Sequence, residues 1–229
     1  MAAMRRPRLL DLFCGAGGAA MGYSRAGFDV VGVDVVPQPQ YPFPFVQADA
    51  LRPPFRLEDF DAIHASPPCQ GYSALRHLPW LKDRVYPLLL EPVRAMLAAS
   101  GRPWVIENVE RAPLDGIVLC GQDFGLPIYR HRRFGSNVLL LAPSHTAHDT
   151  VIGHGRMVND RRKGKLNASS AKGAWGKQPV VTVAGGQCSK ADAEQALGIN
   201  WMPKSALMQA IPPAYTEFIG RQLLQVVAA

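Results

Sequence analysis

Cysteine is scarce in this chain: there are four in 229 residues, at positions 14, 69, 120 and 188, with no CxxC spacing among them. That scarcity excludes a disulfide-stapled scaffold and points to free thiols in a reducing, cytoplasmic setting. Metal-ligand spacing is lacking too. His145, His148 and His154 stand close together, but no cysteine pair is spaced to complete a zinc site, so no metal is expected. No apolar run approaches the roughly 20 residues of a membrane span. The opening eight residues are basic without an apolar core, a solvated lead-in rather than a signal peptide. Internal repeats are absent. Acidic residues are in short supply, 18 against 25 basic, and the resulting formal net charge of +7 suggests a polyanionic partner.

That positive charge is concentrated. Residues 143–178 carry Arg156, Arg161, Arg162, Lys163, Lys165, Lys172 and Lys177 against Asp149 and Asp160, five of the seven net charges. Neither helical nor strand periodicity persists there, and few large apolar residues remain to form a core. The segment reads as a loop-rich insert. It divides the chain into a main domain, 1–142, the insert, 143–178, and a returning segment, 179–229. At this length one good-sized core is affordable.

The main domain alternates strands with helices. Arg8–Phe13 is a strand candidate that runs into Cys14-Gly-Ala-Gly-Gly18, and Ala19–Ala26 follows as a helix. Strand, glycine turn and helix form the nucleotide-binding arrangement, with helix N–H groups facing the ligand. A second strand, Asp29–Val33, ends in Asp34, where Rossmann-like folds hydrogen-bond ribose hydroxyls. A third, Phe45–Asp49, ends in another carboxylate, so Asp34 and Asp49 should share a sheet edge. Later candidates are a helix over 84–100 that becomes regular near Glu91, and strands Trp104–Glu107 and Gly116–Cys120. Two further strands, Tyr129–Phe134 and Val138–Ala142, are split at Gly135. A β-like stretch follows at 179–186, then helices Lys190–Leu197, Lys204–Ala210 and Ala214–Val227.

The central stretch is Asp61-Ala-Ile-His-Ala-Ser-Pro-Pro-Cys-Gln-Gly-Tyr-Ser73. Asp61–Ala65 reads as a short buried strand. Pro67 and Pro68 lack an N–H and fix φ, so neither ladder nor helix continues. The chain must turn at the strand's C-terminal end and present Cys69 on a rigid loop, at the edge where open α/β sheets bind ligands. An NAD-dependent oxidoreductase would share the glycine turn and Asp34, but gives no reason for Pro-Pro-Cys or for a basic insert.

In order and spacing, several of these stretches resemble motifs of the DNA cytosine-5 methyltransferases, and small phage-encoded members most of all. Asp11-Leu-Phe-Cys-Gly-Ala-Gly-Gly18 is similar to the family's cofactor motif, Pro67-Pro-Cys-Gln-Gly-Tyr-Ser73 to its catalytic motif, and Glu107-Asn-Val109 to its Glu-Asn-Val motif. Arg130-His-Arg132 resembles its arginine pair, and Gln209-Ala-Ile-Pro-Pro213 its closing motif. Ile128 stands where the family has Gln, and Gln209 where it has Asn.

The resemblance implies a Rossmann-like α/β fold for S-adenosyl-L-methionine-dependent methyl transfer, with the basic insert as target-recognition region. Its implied catalytic residues are Cys69, Glu107, Arg130 and Arg132. Phe13, Gly15, Ala16, Gly17, Gly18, Asp34, Val35, Asp49, Ala50, Pro68 and Gln209 would line the cofactor pocket. Ser73 and the seven basic residues of the insert would meet double-stranded DNA. A monomer with no membrane partner is expected, and RNA remains open as the polymer.

Overall fold

In a computed structural model of the chain, residues 5–73, 83–145, 148, 152–153, 180–181, 183 and 188–228 are described. The expected DNA contacts Arg156, Arg161, Arg162, Lys163, Lys165, Lys172 and Lys177 lie outside them.

The strands are β1 (Arg8–Leu12), β2 (Asp29–Asp34), β3 (Phe45–Gln47), β4 (Ala62–Ala65), β5 (Trp104–Val109), β6 (Ile117–Leu119) and β7 (Arg132–Ser136). They form one seven-stranded sheet in the order β3-β2-β1-β4-β5-β7-β6. The first five are parallel, while β7 runs antiparallel to both β5 and β6. The parallel strands read as continuous apolar runs because both faces are covered: β1 is Arg-Leu-Leu-Asp-Leu, buried from its second residue on.

The two faces have separate cores, divided by the alternation of side chains along each strand. Leu9, Ala62 and Val105 pack with Tyr23 of helix α1 (Gly18–Ala26) and with Tyr215, Ile219 and Leu223 of the C-terminal helix α5 (Pro213–Val227). Leu10, Leu12, Ile63 and Ile106 pack on the other side with Leu90, Val93 and Leu97 of α2 (Leu90–Ala99). A third cluster gathers Ala16, Ile128, Val183 and Cys188 with the short helices α3 (Lys190–Leu197) and α4 (Lys204–Leu207).

Two sequence expectations change. The stretch 129–142 holds one strand, Arg132–Ser136, not two divided at Gly135. Gly135 is paired with Ile106 inside the ladder. A Cβ there would come within 2.6 Å of the Asp115 carbonyl, so close approach rather than a turn calls for glycine. Beyond it, Leu139 and Leu141 are exposed, and no strand forms at 138–142. In the insert, Ile152–Gly153 (β8) pairs in parallel with Val180–Val181 (β9), so regular structure reaches past residue 143.

Sheet order reverses between β1 and β4: from β1 the chain moves outward to β2 and β3, and from β4 toward β5. Such a switch point opens a crevice at the strands' C-terminal ends. Register sets Leu12 beside both Val33 and Ala65, so the glycine turn after β1 and the Pro-Pro-Cys loop after β4 face the same crevice.

Candidate active site

The glycine turn begins with a strained residue. Phe13 lies at φ 56°, a conformation that bulky side chains rarely adopt. Gly15 and Gly17 follow at φ 49° and 86°. A Cβ on Gly17 would lie 2.8 Å from Pro42, and one on Gly18 would lie 2.5 Å from the Ile211 carbonyl. The turn is therefore gripped by the 41–42 connection and by the segment entering α5, while the Trp201 indole donates to the Ala16 carbonyl at 2.9 Å.

Asp34 ends β2 with both carboxylate oxygens engaged: Oδ2 accepts the Gly15 N–H at 2.9 Å and Oδ1 the Val36 N–H at 2.9 Å. It thus holds the turn in place, and each oxygen keeps further acceptor capacity. The neighbouring Val35 side chain is 65% exposed, an apolar ledge over the same edge. Asp49 is exposed and caps its own turn through the Leu51 N–H. The Ala50 side chain is buried in the α2-side core, so only its backbone faces a ligand. Gln209 is exposed just before Ala210 and Ile211, which pack on Gly18.

Asp11 was not foreseen as a site residue. Its carboxyl is fully buried at the end of β1, taking a 3.3 Å bond from the Tyr41 hydroxyl at Oδ2, and Oδ1 has no partner. Burial pushes its pKa up to about 8, so the group is largely protonated at neutral pH.

On the β4 side, Asn108 of β5 donates from Nδ2 to the Pro67 carbonyl at 3.0 Å, fixing the proline pair. Tyr72 and Ser73 donate backbone N–H groups to the Cys69 carbonyl, each at 3.0 Å. Cys69 is thus held in a tight turn, half-buried, while the other three cysteines are buried. Pro68 is half-buried before it.

Glu107 and Arg132 lie next to the thiol. Glu107 is buried on β5, and Arg132 Nε lies 3.0 Å from its Oε1. Burial raises the Cys69 pKa, and the Glu107 charge raises it further, while Arg132 opposes both. Burial likewise raises Glu107, opposed by Arg132, Arg130 and a Ser66 hydrogen bond.

Behind Glu107 runs a buried chain that sequence reading had only touched. His64 Nε2 is 2.8 Å from Ser66 Oγ, and His64 Nδ1 is 3.0 Å from the Tyr23 hydroxyl. Burial pushes His64 down to about 3, so it is neutral. The consistent proton arrangement has Tyr23 O–H donating to Nδ1, Nε2–H donating to Ser66, and Ser66 donating to Glu107. In the sequence His64 was visible only as the one polar interruption of a buried strand.

Arg130 is anchored by backbone carbonyls. Its Nη1 donates to the Val183 carbonyl at 3.1 Å and its Nη2 to the Met208 carbonyl at 2.8 Å, and the Tyr215 hydroxyl donates to its own carbonyl at 2.9 Å. The guanidinium ties the returning segment to the active-site strand, and its charge acts on Cys69 and Glu107 alongside the larger effect of Arg132. Ile128 is buried in the third core cluster, which accounts for an apolar residue at that position.

The same strand end carries a second polar group. Cys120, His131, His145 and His148 bring their ligand atoms within 4.8 Å of one another. Spacing along the chain conceals Cys120, just after β6, and His131, just before β7; His154 lies outside the described residues.

No family model matches the chain. It is 31% identical over 153 residues to the Type II methyltransferase M.XorII of Xanthomonas oryzae pv. oryzae, covering 59% of this chain and 32% of that protein. To the Type II methyltransferase M1.HphI of Haemophilus parahaemolyticus it is 28% identical over 194 residues, 63% of this chain and 52% of that one. The chain spans about half or less of these curated relatives. Two solved structures match nearly end to end. One, described as a DNA modification methyltransferase encoded within an E. coli prophage, gives a TM-score of 0.59 at 16% identity, covering 97% of this chain and all of that one. The S. pombe Dnmt2 methyltransferase gives 0.61 at 14%, covering 98% and 100%. The fold is the Rossmann-like fold of these methyltransferases.

Proposed function

We propose that the chain is a DNA (cytosine-5)-methyltransferase that flips a target cytosine and methylates C5 through a covalent bond to Cys69. The observation that carries this reading is a thiol, a buried carboxyl and a guanidinium (Cys69, Glu107 and Arg132) gathered beside a glycine turn at the sheet's switch point. The kinship with Type II methyltransferases supports it.

Cytosine C5 is a poor nucleophile until electron density is added to the ring. The Cys69 thiolate attacks C6 and forms the S–C6 bond, which makes C5 enamine-like. Glu107, whose hold on a proton burial strengthens, donates to N3 in its protonated form and neutralises the charge that develops there. Arg132 steadies the thiolate and donates to the base O2, which accepts. Once C5 is methylated, its proton passes to solvent, the S–C6 bond breaks to release the thiolate, and N3 returns its proton to Glu107, which restores the aromatic ring. A base stacked in a duplex is out of reach of a half-buried thiol, so it must be flipped out.

S-adenosyl-L-methionine, when bound, supplies the electrophilic methyl on its sulfonium. The crevice fits such a ligand: a Cβ on Gly15 would meet nothing within 4 Å, so the turn has open space there, and the buried Asp11 Oδ1 lacks a partner that an ammonium group would provide. Gly15, Ala16, Gly17 and Gly18 would meet the methionine part, Phe13 and Val35 the adenine faces, and Asp34 the ribose. Asp49 and the Ala50 backbone would reach the adenine edge, with Pro68 and Gln209 closing over the donor. Ser73 and the basic insert would meet the duplex.

A duplex carrying 5-fluorocytosine at the target tests the covalent step, because fluorine at C5 blocks the proton loss that releases the enzyme. A denaturation-resistant adduct is expected with S-adenosyl-L-methionine present. Cys69→Ala should lose both adduct and methylation while still binding the donor. Full methylation by Cys69→Ala would sink the mechanism.

A further inference from the structure

Four side chains that play no part in the reaction converge near it. Cys120 follows β6, His131 sits between Arg130 and Arg132, and His145 and His148 open the basic insert. His148 Nε2 lies 3.0 Å from His131 Nε2 and 3.6 Å from Cys120 Sγ, and His131 Nε2 lies 3.5 Å from His145 Nε2. Tetrahedral zinc, with Zn–N about 2.05 Å and Zn–S about 2.3 Å, sets nitrogens about 3.3 Å apart and sulfur about 3.6 Å from nitrogen. These three of the six separations bracket those edges, and all four ligand atoms lie within 4.8 Å of one another.

The outer nitrogens of the rings give an independent indication. His145 Nδ1 is 2.8 Å from Asp123 Oδ1, on a side chain only 4% exposed. His148 Nδ1 is 3.2 Å from Gln122 Oε1. Both oxygens are acceptors, so each Nδ1 carries the proton and each Nε2 turns a bare lone pair inward. Asp123 also accepts the Cys120 backbone N–H at 3.1 Å through Oδ2, so a single carboxylate positions two of the four groups. Imidazoles whose far nitrogens are held by a carboxylate or carbonyl oxygen are the usual second layer of a metal site.

We propose that Cys120, His131, His145 and His148 bind one Zn²⁺ as a closed structural site that pins the start of the basic insert to the strand carrying Arg132. One thiolate and three imidazoles suit zinc and exclude magnesium and calcium, which require oxygen ligands. Four protein ligands leave no open position, so the ion acts in architecture rather than chemistry. The site does not depend on which base the enzyme methylates.

The test uses the untagged chain, purified without chelator. Zinc at about one per chain is expected, as for a four-ligand site. Cobalt in its place should give the strong visible absorption of tetrahedral coordination with a thiolate charge-transfer band, and Cys120→Ser should lose that band. The double substitution His145→Ala/His148→Ala, at one exposed and one half-buried position, should remove the zinc while circular dichroism reports an intact fold. Asp123→Asn should weaken zinc binding roughly 10–100-fold, the usual cost of losing such a partner. A chain that stays zinc-free after stoichiometric addition would overturn the site. Zinc content unchanged in the double variant, or a weak six-coordinate cobalt spectrum, would do the same.

Discussion

At the thiol, two neighbours pull in opposite directions. Glu107 favours the protonated form of Cys69, and Arg132 favours the thiolate. With the other cysteines buried, alkylation by iodoacetamide reports this one group. Its pH midpoint should lie above the ordinary thiol range in the free protein, rise further in Arg132→Gln and fall in Glu107→Gln. A midpoint indifferent to both substitutions would mean that the three groups are not coupled. Glu107→Gln should also lower kcat by roughly 10²- to 10⁴-fold, the scale of a lost general acid. His64 allows a separate test. Its folded pKa is depressed to about 3, so below its unfolded value of about 6.5 the unfolded chain binds a proton that the native state does not. Stability should therefore fall as pH drops from about 6.5 toward 3, by up to about 1.4 kcal/mol per pH unit from this residue. In urea titrations His64→Gln should lack that part of the slope. Single residues were legible where a motif isolates them, as with Cys69, Glu107 and Arg132. That the Arg130 guanidinium donates to the Val183 and Met208 carbonyls was not legible, because those partners lie 53 and 78 residues away in the chain.

Among the elements, the parallel strands were legible because burial on both faces writes itself as an apolar run ended by Gly, Pro or Asp. The failures came where a residue type had two meanings, as Gly135 did. The contact between α1 and α5 was not legible at all, because it rests on glycines that sequence periodicity treats as blanks. Gly22 sits where a Cβ would come within 2.1 Å of Thr216 Oγ1 and 2.2 Å of the Pro213 carbonyl. The Thr216 hydroxyl in turn donates to the Ala19 carbonyl at 2.8 Å, so the helices touch backbone to backbone. Alanine would normally favour a helix over glycine by about 1 kcal/mol. Here the overpacking should win, and Gly22→Ala should destabilise the protein by about 1–3 kcal/mol in urea denaturation. A stabilised variant would show that α5 can slide on α1 without cost. Such sliding would also shift Ile211, which packs on Gly18, so the donor's affinity should drop in the same variant.

Across the whole molecule the charge is divided: the insert holds most of the excess, and the remainder is close to neutral. Lysine and arginine met by phosphates give affinity without sequence information, whereas reading bases needs side chains held rigidly against base edges. Between 143 and 178 the apolar residues able to hold them are few, chiefly Val151, Ile152, Met157, Val158, Leu166 and Trp175. A short target context is expected, roughly two to four base pairs, since each well-placed contact contributes only about 1–3 kcal/mol of discrimination. The phosphate contribution is measurable on its own. Each neutralised phosphate adds about 0.9 to the slope of log affinity against log salt, so replacing Arg161, Arg162 and Lys163 together by alanine should flatten that slope by up to about 2.7. The loss should be similar on target and non-target duplexes, because phosphates are the same on both. If the triple variant loses affinity only for its target, or if methylation is confined to a six-base-pair site, the insert is a reader of bases and its charge serves specificity.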